Sequence, residues 1–302
     1  NKTEQTEFNL DDMNEAMLDG NLLNYLKDNV SYENIGAILS EMEDGNWVIS
    51  YDINSISTPN SYEALDYLAD VFTSALSEGN VEELKENGQY DAIIQTLAND
   101  TWTEYGILNH IAANEDGISG EVVADILLKA NGGDVENYNT MLNSLTSSSR
   151  DTQKVFSNAL IEMAASGNDN KISGDVTYSE YAQKLLSSYM QNNLTFSNDV
   201  EGQKEFIDNI IAADDTGALM VSIGGQMSVD GQSAFDIFQN DKEYCDKIAN
   251  AYVTAYNSGL GYEWQEYIEE QLSNEIYDAM KGLGSNENIV KAIFEDYQNK
   301  TE

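Results

Sequence analysis

The chain of 302 residues contains a single proline, Pro59. Because proline breaks helix interiors, a chain with almost none of it can form helices along most of its length. One apolar stripe has helical spacing, and its members are Tyr62, Leu65, Ala69, Phe72 and Leu76. Strand patterns are sparse, and they predict one short strand at 47–53 and another at 219–223. We therefore predict a mainly α fold, a multi-helix bundle of helix–loop–helix units with at most a few short strands.

The charge is strongly unbalanced, with 54 acidic and 14 basic residues and a formal net charge of −40. Such a field repels phosphate backbones and anionic lipid, so we predict no nucleic-acid partner. Hydrophobic residues make up 41% of the chain, which is too many for a disordered acidic tail. The excess carboxylates need salt, divalent cations, a basic protein partner or self-assembly to offset them.

Several kinds of catalytic and metal chemistry lack their residues. One cysteine, Cys245, and one histidine, His110, exclude an intrachain disulfide and a Cys/His zinc site. We interpret His110, within the apolar run 107–112, as structural and Cys245 as a small buried apolar residue. Phosphate-binding, dinucleotide-binding and nucleophile-elbow motifs are absent from the sequence, and no apolar run is long enough for an integral membrane segment. These observations favour a protein that is not an enzyme.

Two turn-rich or serine-rich stretches, 54–60 and 145–149, are the candidate joints between domains. They predict an N-terminal helical segment with a short strand (1–58), a helical lobe (59–148) and a second helical lobe (149–302). The segments 114–122 and 168–176 share the pattern Ile-Ser-Gly-acid-Val before a predicted helix. This pattern indicates a duplicated helix–loop–helix unit.

Oxygen-bearing residues recur through 169–180 at the spacing of a calcium loop. A hard cation takes about six or seven oxygen ligands, and glycine allows the loop to turn sharply. With Asp169 at position 1, Gly174 takes position 6 and Glu180 takes position 12, where two carboxylate oxygens close the coordination sphere. The segment resembles an EF-hand, entered by a helix at 155–161 and left by one from Tyr181.

The EF-hand resemblance implies Ca²⁺ as the ligand and a set of metal-binding residues. They are Asp169, Ser173, Asp175 through its carbonyl, Thr177 and Glu180. Lys171 departs from the pattern, because the family has an acidic or amide ligand at that position. We therefore expect a reduced affinity for calcium.

The companion segment resembles a degenerate copy of this loop. Alignment on Ile-Ser-Gly puts Glu115 at position 1 and Gly120 at position 6, but Ile126 replaces the glutamate at position 12. Asn114, Glu115 and Asp116 could still bind a cation in a shorter loop around Gly117. We include these three as candidate metal ligands.

A second resemblance lies at 279–287, Ala-Met-Lys-Gly-Leu-Gly-Ser-Asn-Glu. This segment is similar to the glycine loop of annexin repeats, in which loop carbonyls and a distant acid hold calcium at a membrane surface. The resemblance implies a helix pair flanking the loop at 275–280 and 288–297. The fourfold annexin repetition is not visible in the chain, so only the local helix–loop–helix shape carries over.

Taken together, these patterns predict a non-enzymatic, acidic, calcium-binding helical protein that acts in binding or structural assembly. We expect it at the cell surface or outside the cell, where millimolar calcium can fill weak loops. One alternative is a carboxylate-based hydrolase whose acids are hidden among the solvated ones. Another is a salt-adapted assembly protein without specific ion sites.

Overall fold

The computed structural model describes residues 8–41, 61–99, 107–112, 118–137, 150–191, 200–224, 228–229, 232–233 and 241–257. These residues form thirteen helices and two sheets of two short strands each. The prediction of a mainly α, multi-helix fold with a few short strands is confirmed. No described helix is both long enough and apolar enough to cross a membrane.

The chain divides into two compact units, and the first comprises 1–159 with 171–176. Its described helices are α1 (Leu10–Leu18), α2 (Leu22–Asn29), α3 (Ile35–Glu41), α4 (Ser61–Ala75), α5 (Glu78–Glu86), α6 (Tyr90–Ala98), α7 (Ile107–Ala112) and α8 (Gly120–Ala130). Helix α9 (Arg150–Ser166) begins in this unit, which also contains the strand β1 (Lys171–Ser173) and the first residue of the strand β2 (Val176–Thr177). The predicted division into 1–58, 59–148 and 149–302 stays a prediction.

The second unit comprises 160–170 and 177–302. It contains the end of α9 and the helices α10 (Tyr178–Gln191), α11 (Val200–Ala213), α12 (Ala218–Gly224) and α13 (Lys242–Asn257). The strands β3 (Ser228–Val229) and β4 (Gln232–Ser233) pair antiparallel, with Ser228 opposite Ser233. Helix α12 packs against α10, α11 and α13 and so lies at the centre of this unit's described helices.

Helix α4 shows why the apolar stripe predicted a helix. Leu65, Ala69 and Phe72 are each at most 2% exposed, on the face that packs against α2 and α7. Each fully buried large apolar side chain contributes about 1.5–3 kcal/mol. The helix predicted from this stripe is confirmed.

The second predicted strand, at 219–223, is wrong, because α12 covers these residues. The carboxylate of Asp214 accepts hydrogen bonds from the backbone nitrogens of Thr216 (3.0 Å) and Leu219 (2.7 Å). The carboxylate thereby satisfies backbone N–H groups at the start of α12. The apolar run 219–223 does not by itself specify this helix. Leu219 and Met220 are buried in the helix, at 3% and 1% exposure.

Helix α3 is attached to the first unit through Gln89, the residue that precedes α6. The side chain of Gln89 accepts a hydrogen bond from the Ala37 backbone nitrogen at 3.1 Å and donates one to the Glu33 carbonyl at 3.0 Å. Gly36 lies against the backbone of Gln89, where a Cβ would come within 2.4 Å of the Gln89 Cβ. This close approach requires a residue without a side chain at position 36.

Other predictions fall on residues outside the described ranges. They concern the strand at 47–53, the candidate ligands Asn114, Glu115 and Asp116, and the glycine loop at 279–287 with its flanking helices.

Candidate calcium-binding loop

The residues between α9 and α10 form a short β-hairpin. Strands β1 and β2 pair with each other, and Gly174 and Asp175 make the turn between them. Gly174 has a φ of +56°, a left-handed conformation that favours glycine. The glycine predicted for a sharp turn therefore does turn the chain, but within a hairpin.

Thr177 and Glu180 form a capping box at the start of α10. The Thr177 backbone nitrogen donates to the Glu180 carboxylate at 2.9 Å, and the Glu180 backbone nitrogen donates to the Thr177 hydroxyl at 3.1 Å. Each side chain thus satisfies a backbone N–H that the helix leaves open. Two of the predicted calcium ligands therefore stabilise the helix end in this structure.

Lys171 places a positive charge on the loop. Its ammonium donates a hydrogen bond to the Asp175 carbonyl oxygen at 2.7 Å. This is the carbonyl that the EF-hand resemblance assigns to the metal. A cation that used this oxygen would have to displace the lysine.

The other two predicted ligands, Asp169 and Ser173, do not belong to a cluster of acidic side chains. Asp169 is exposed, and Ser173 is half-buried at the end of β1. The adjacent Asn168 is used in the loop itself, where its side-chain oxygen accepts from the Asn170 backbone nitrogen at 3.0 Å. Within the described ranges, no group of three or more His, Cys, Asp or Glu side chains could hold a metal ion.

The companion segment folds differently at the residues it shares with the loop. Ser119 is the N-cap of α8, where its hydroxyl accepts a hydrogen bond from the Val122 backbone nitrogen at 3.3 Å. Gly120 is buried as the first residue of that helix. By contrast, Ser173 ends a strand and Gly174 lies in a turn. The shared Ile-Ser-Gly pattern thus forms two different local structures.

The single histidine, His110, contacts a carboxylate, and the single cysteine, Cys245, is buried. The His110 Nδ1 atom lies 2.7 Å from a carboxylate oxygen of Asp66, and this contact joins α7 to α4. Cys245 is 4% exposed, which confirms that it is a buried residue, and burial raises the pKa of its thiol.

Sequence reasoning missed two lysine–tyrosine clusters. In the first, the Lys85 ammonium makes an ion pair with the Glu121 carboxylate at 2.8 Å. The same ammonium lies 5.1 Å from the ring centroid of Tyr90. The Tyr90 hydroxyl donates a hydrogen bond to the Asp125 carboxylate. Burial lowers the pKa of Lys85, but the hydrogen bond and charge of Glu121 outweigh it and leave the pKa raised. This cluster joins α5, α6 and α8.

The second lysine–tyrosine cluster joins α11 and α13. The Tyr244 hydroxyl and the Lys247 ammonium each donate to the Asp208 carboxylate at 2.8 Å. Lys247 and Lys204 lie 4.5 and 5.3 Å from the ring centroid of Tyr244. Burial, followed by the hydrogen bond to Asp208, raises the pKa of Tyr244, and the hydrogen bond to Asp208 raises that of Lys247.

The raised pKa values predict alkaline sensitivity of the second unit. Tyr244 and Lys247 contribute stability below their ordinary pKa values of about 10 to 10.4 and lose it as the pH rises through the higher folded-state values. In chemical denaturation of the full chain, Lys247→Met should therefore lower the midpoint of the second unit at pH 7, and this effect should shrink as the pH rises above about 10.4.

Lys242→Met is the matched control for Lys247→Met. Lys242 also makes an ion pair with a residue four positions away on α13, but its side chain is 87% exposed against 35% for Lys247. An exposed pair contributes little, so this variant should leave the midpoint almost unchanged. Equal losses in the two variants would contradict a special role for the cluster.

The sequence gives an indirect signal for these clusters, because its few basic residues are greatly outnumbered by acidic ones. The acidic partners are distant in the sequence from the side chains that contact them, however, and become their neighbours only in the folded chain. Glu121 and Asp125 lie one helical turn apart on α8, and their partners lie on α5 and α6.

Comparison with known proteins adds no further information on the site: no protein-family model, no curated protein and no solved structure matches this chain.

Proposed function

We propose that this is a non-enzymatic, acidic, helical protein that binds calcium weakly and acts in binding or structural assembly outside the cytoplasm. The proposal rests on three exposed carboxylates within one twelve-residue segment, Asp169 before the hairpin, Asp175 in its turn and Glu180 in the first turn of α10, in a chain of net charge −40. These carboxylates do not form one cluster in the conformation described above, so a cation has to draw them together. A hard divalent cation that binds there would reduce the self-repulsion of the folded chain.

The hydrogen bonds of the loop support a low affinity. Calcium has to displace the Lys171 ammonium from the Asp175 carbonyl and turn the Glu180 carboxylate away from the Thr177 nitrogen. Each of these hydrogen bonds stabilises the described loop conformation by about 1 kcal/mol. We therefore infer a dissociation constant of about 10⁻⁴–10⁻³ M, the range of extracellular calcium modules. Such an affinity is useful at the cell surface or outside the cell.

Glu180→Gln tests the proposal by titration calorimetry with calcium. Glutamine keeps a side-chain oxygen that can accept from the Thr177 nitrogen, so the capping box of α10 survives. It removes the negative charge and the two-oxygen grip on the metal. We expect binding at this loop to be lost and the melting temperature without calcium to change little. Unchanged calcium stoichiometry would contradict the assignment of the loop.

Lys171→Asp should have the opposite effect on calcium affinity. The change removes the competing ammonium and adds a carboxylate, and a charge-assisted interaction contributes about 1.5 kcal/mol or more, which corresponds to about tenfold tighter binding. Lys171→Met is the matched control, because it removes the ammonium without adding a ligand, and its gain should be smaller. Weaker binding by Lys171→Asp than by the unaltered chain would contradict the role of Lys171 as a competitor.

One observation favours the alternative of a salt-adapted assembly protein. The Lys171 ammonium supplies a positive charge at the Asp175 carbonyl, the oxygen that the EF-hand resemblance assigns to a metal. On this alternative, sodium chloride stabilises the fold as well as calcium does at equal ionic strength. A basic protein partner or self-assembly would serve the same purpose of neutralising the acidic surface. No contact within the described ranges favours the carboxylate-based hydrolase.

A further inference from the structure

Asparagine precedes glycine twice in this chain, at Asn87–Gly88 and at Asn131–Gly132. Both pairs end a helix: Asn87 is the C-cap of α5 and Asn131 is the C-cap of α8. Both glycines have a positive φ, 79° at Gly88 and 71° at Gly132. The two pairs therefore share their sequence and their type of turn, and they differ in their surroundings.

The surroundings differ most in exposure. Asn87 lies on the surface, whereas Asn131 is 4% exposed. The backbone nitrogen of Gly88 donates to the Lys85 carbonyl at 3.3 Å, a longer bond than the 3.0 Å from Gly132 to Lys129. Local opening of an exposed helix end costs much less free energy than opening that must also free a buried side chain. The Gly88 nitrogen is therefore the more readily released of the two.

We propose that Asn87–Gly88 is a site of spontaneous self-modification, at which asparagine becomes aspartate and isoaspartate. The Gly88 backbone nitrogen, freed from Lys85, loses its proton to a base in solution and attacks the side-chain carbon Cγ of Asn87. The new N–Cγ bond closes a succinimide ring, the bond from Cγ to the amide nitrogen breaks, and that nitrogen takes up a proton from the solvent and leaves as ammonia. Water then opens the ring at the side-chain carbonyl to give aspartate, or at the backbone carbonyl to give isoaspartate.

The modification is positioned to affect α3. Isoaspartate adds one carbon atom to the main chain directly before Gly88 and Gln89. Gln89 is the residue whose side chain holds the Ala37 nitrogen and the Glu33 carbonyl. The new carboxylate also lies in a turn whose neighbours Glu83 and Glu86 are exposed acids. A shift of Gln89 should therefore loosen α3 while the buried helices of the first unit stay packed.

The first test incubates the full chain at mildly alkaline pH and follows the two asparagine peptides by mass spectrometry. In the folded protein we expect Asn87 to convert at least about tenfold faster than Asn131, because only Asn87 is reached by cheap local opening. In concentrated urea the two should convert at similar rates, since their local sequences both contain Asn-Gly. Asn87→Gln should abolish conversion at that peptide. Equal rates in the folded protein, or faster conversion of Asn131, would overturn the proposal.

The second test measures amide hydrogen exchange at Ala37 in the isoaspartate form, separated by ion-exchange chromatography. We expect faster exchange than in the unmodified chain. Asn87→Asp is the matched control, because it adds the same charge without lengthening the main chain, and its exchange at Ala37 should stay near that of the unmodified chain. Equal exchange in the isoaspartate form and in Asn87→Asp would overturn the link between the modification and α3.

Discussion

Gly217→Ala is expected to destabilise the second unit by about 2–5 kcal/mol, from the cost of a left-handed alanine and of overpacking. Gly217 has a φ of +77°, and a Cβ there would lie 2.0 Å from the Ala251 carbonyl oxygen and 3.1 Å from the Ala255 backbone nitrogen. Both are backbone atoms of α13, so no side chain can rotate to make room. Urea denaturation followed by circular dichroism measures the loss.

Gly167→Ala is the matched control for Gly217→Ala. Gly167 belongs to the same unit and has a φ of +65°, but nothing lies within 4 Å of a Cβ at this position. Only the conformational cost applies, about 1–2 kcal/mol. If the two substitutions cost the same, the contact between Gly217 and α13 does not determine the packing of this unit.

Gly36→Ala is expected to destabilise the first unit by about 1–3 kcal/mol, the usual cost of overpacking. Gly36 lies within α3, where alanine suits the backbone better than glycine. However, the added Cβ would lie 2.4 Å from the Gln89 Cβ and 2.7 Å from the Gln89 carbonyl oxygen. The substitution should push α3 away from Gln89, and amide exchange at Ala37 should accelerate.

Gly79→Ala gives the opposite sign in the same unit. Gly79 lies within α5 with nothing within 4 Å of an added Cβ, so the helix gains about 0.5–1 kcal/mol from the substitution. Urea denaturation of both variants therefore separates packing from helix propensity. Stabilisation by Gly36→Ala would contradict the close approach of α3 to Gln89.

The helical fold could be predicted from the sequence because apolar spacing directly reports the buried face of a helix. Leu65, Ala69 and Phe72 carry this signal in α4, and all three are buried. At 219–223 the same kind of reasoning failed, because a short apolar run suits a buried helix as well as a strand. The Asp214 carboxylate accepts a hydrogen bond from the Leu219 backbone nitrogen and thereby favours the helix over the strand.

The candidate loop was harder to predict than the fold. The glycine turn at Gly174 followed from the sequence, but the roles of Lys171, Thr177 and Glu180 depend on hydrogen bonds that the spacing of residues does not specify. The capping box and the EF-hand resemblance assign different roles to the same two residues, Thr177 and Glu180. The lysine–tyrosine clusters depend on helices that are distant in sequence, so no local pattern indicated them.

The most direct test of calcium binding is the melting curve of the full chain with calcium and with chelator, at constant ionic strength. Calcium at ten times its dissociation constant should stabilise the folded state by about 1.4 kcal/mol, and sodium at matched ionic strength should not. The shift should largely disappear in Glu180→Gln and increase in Lys171→Asp. Identical melting curves with calcium and with chelator would contradict the proposal that this protein binds calcium.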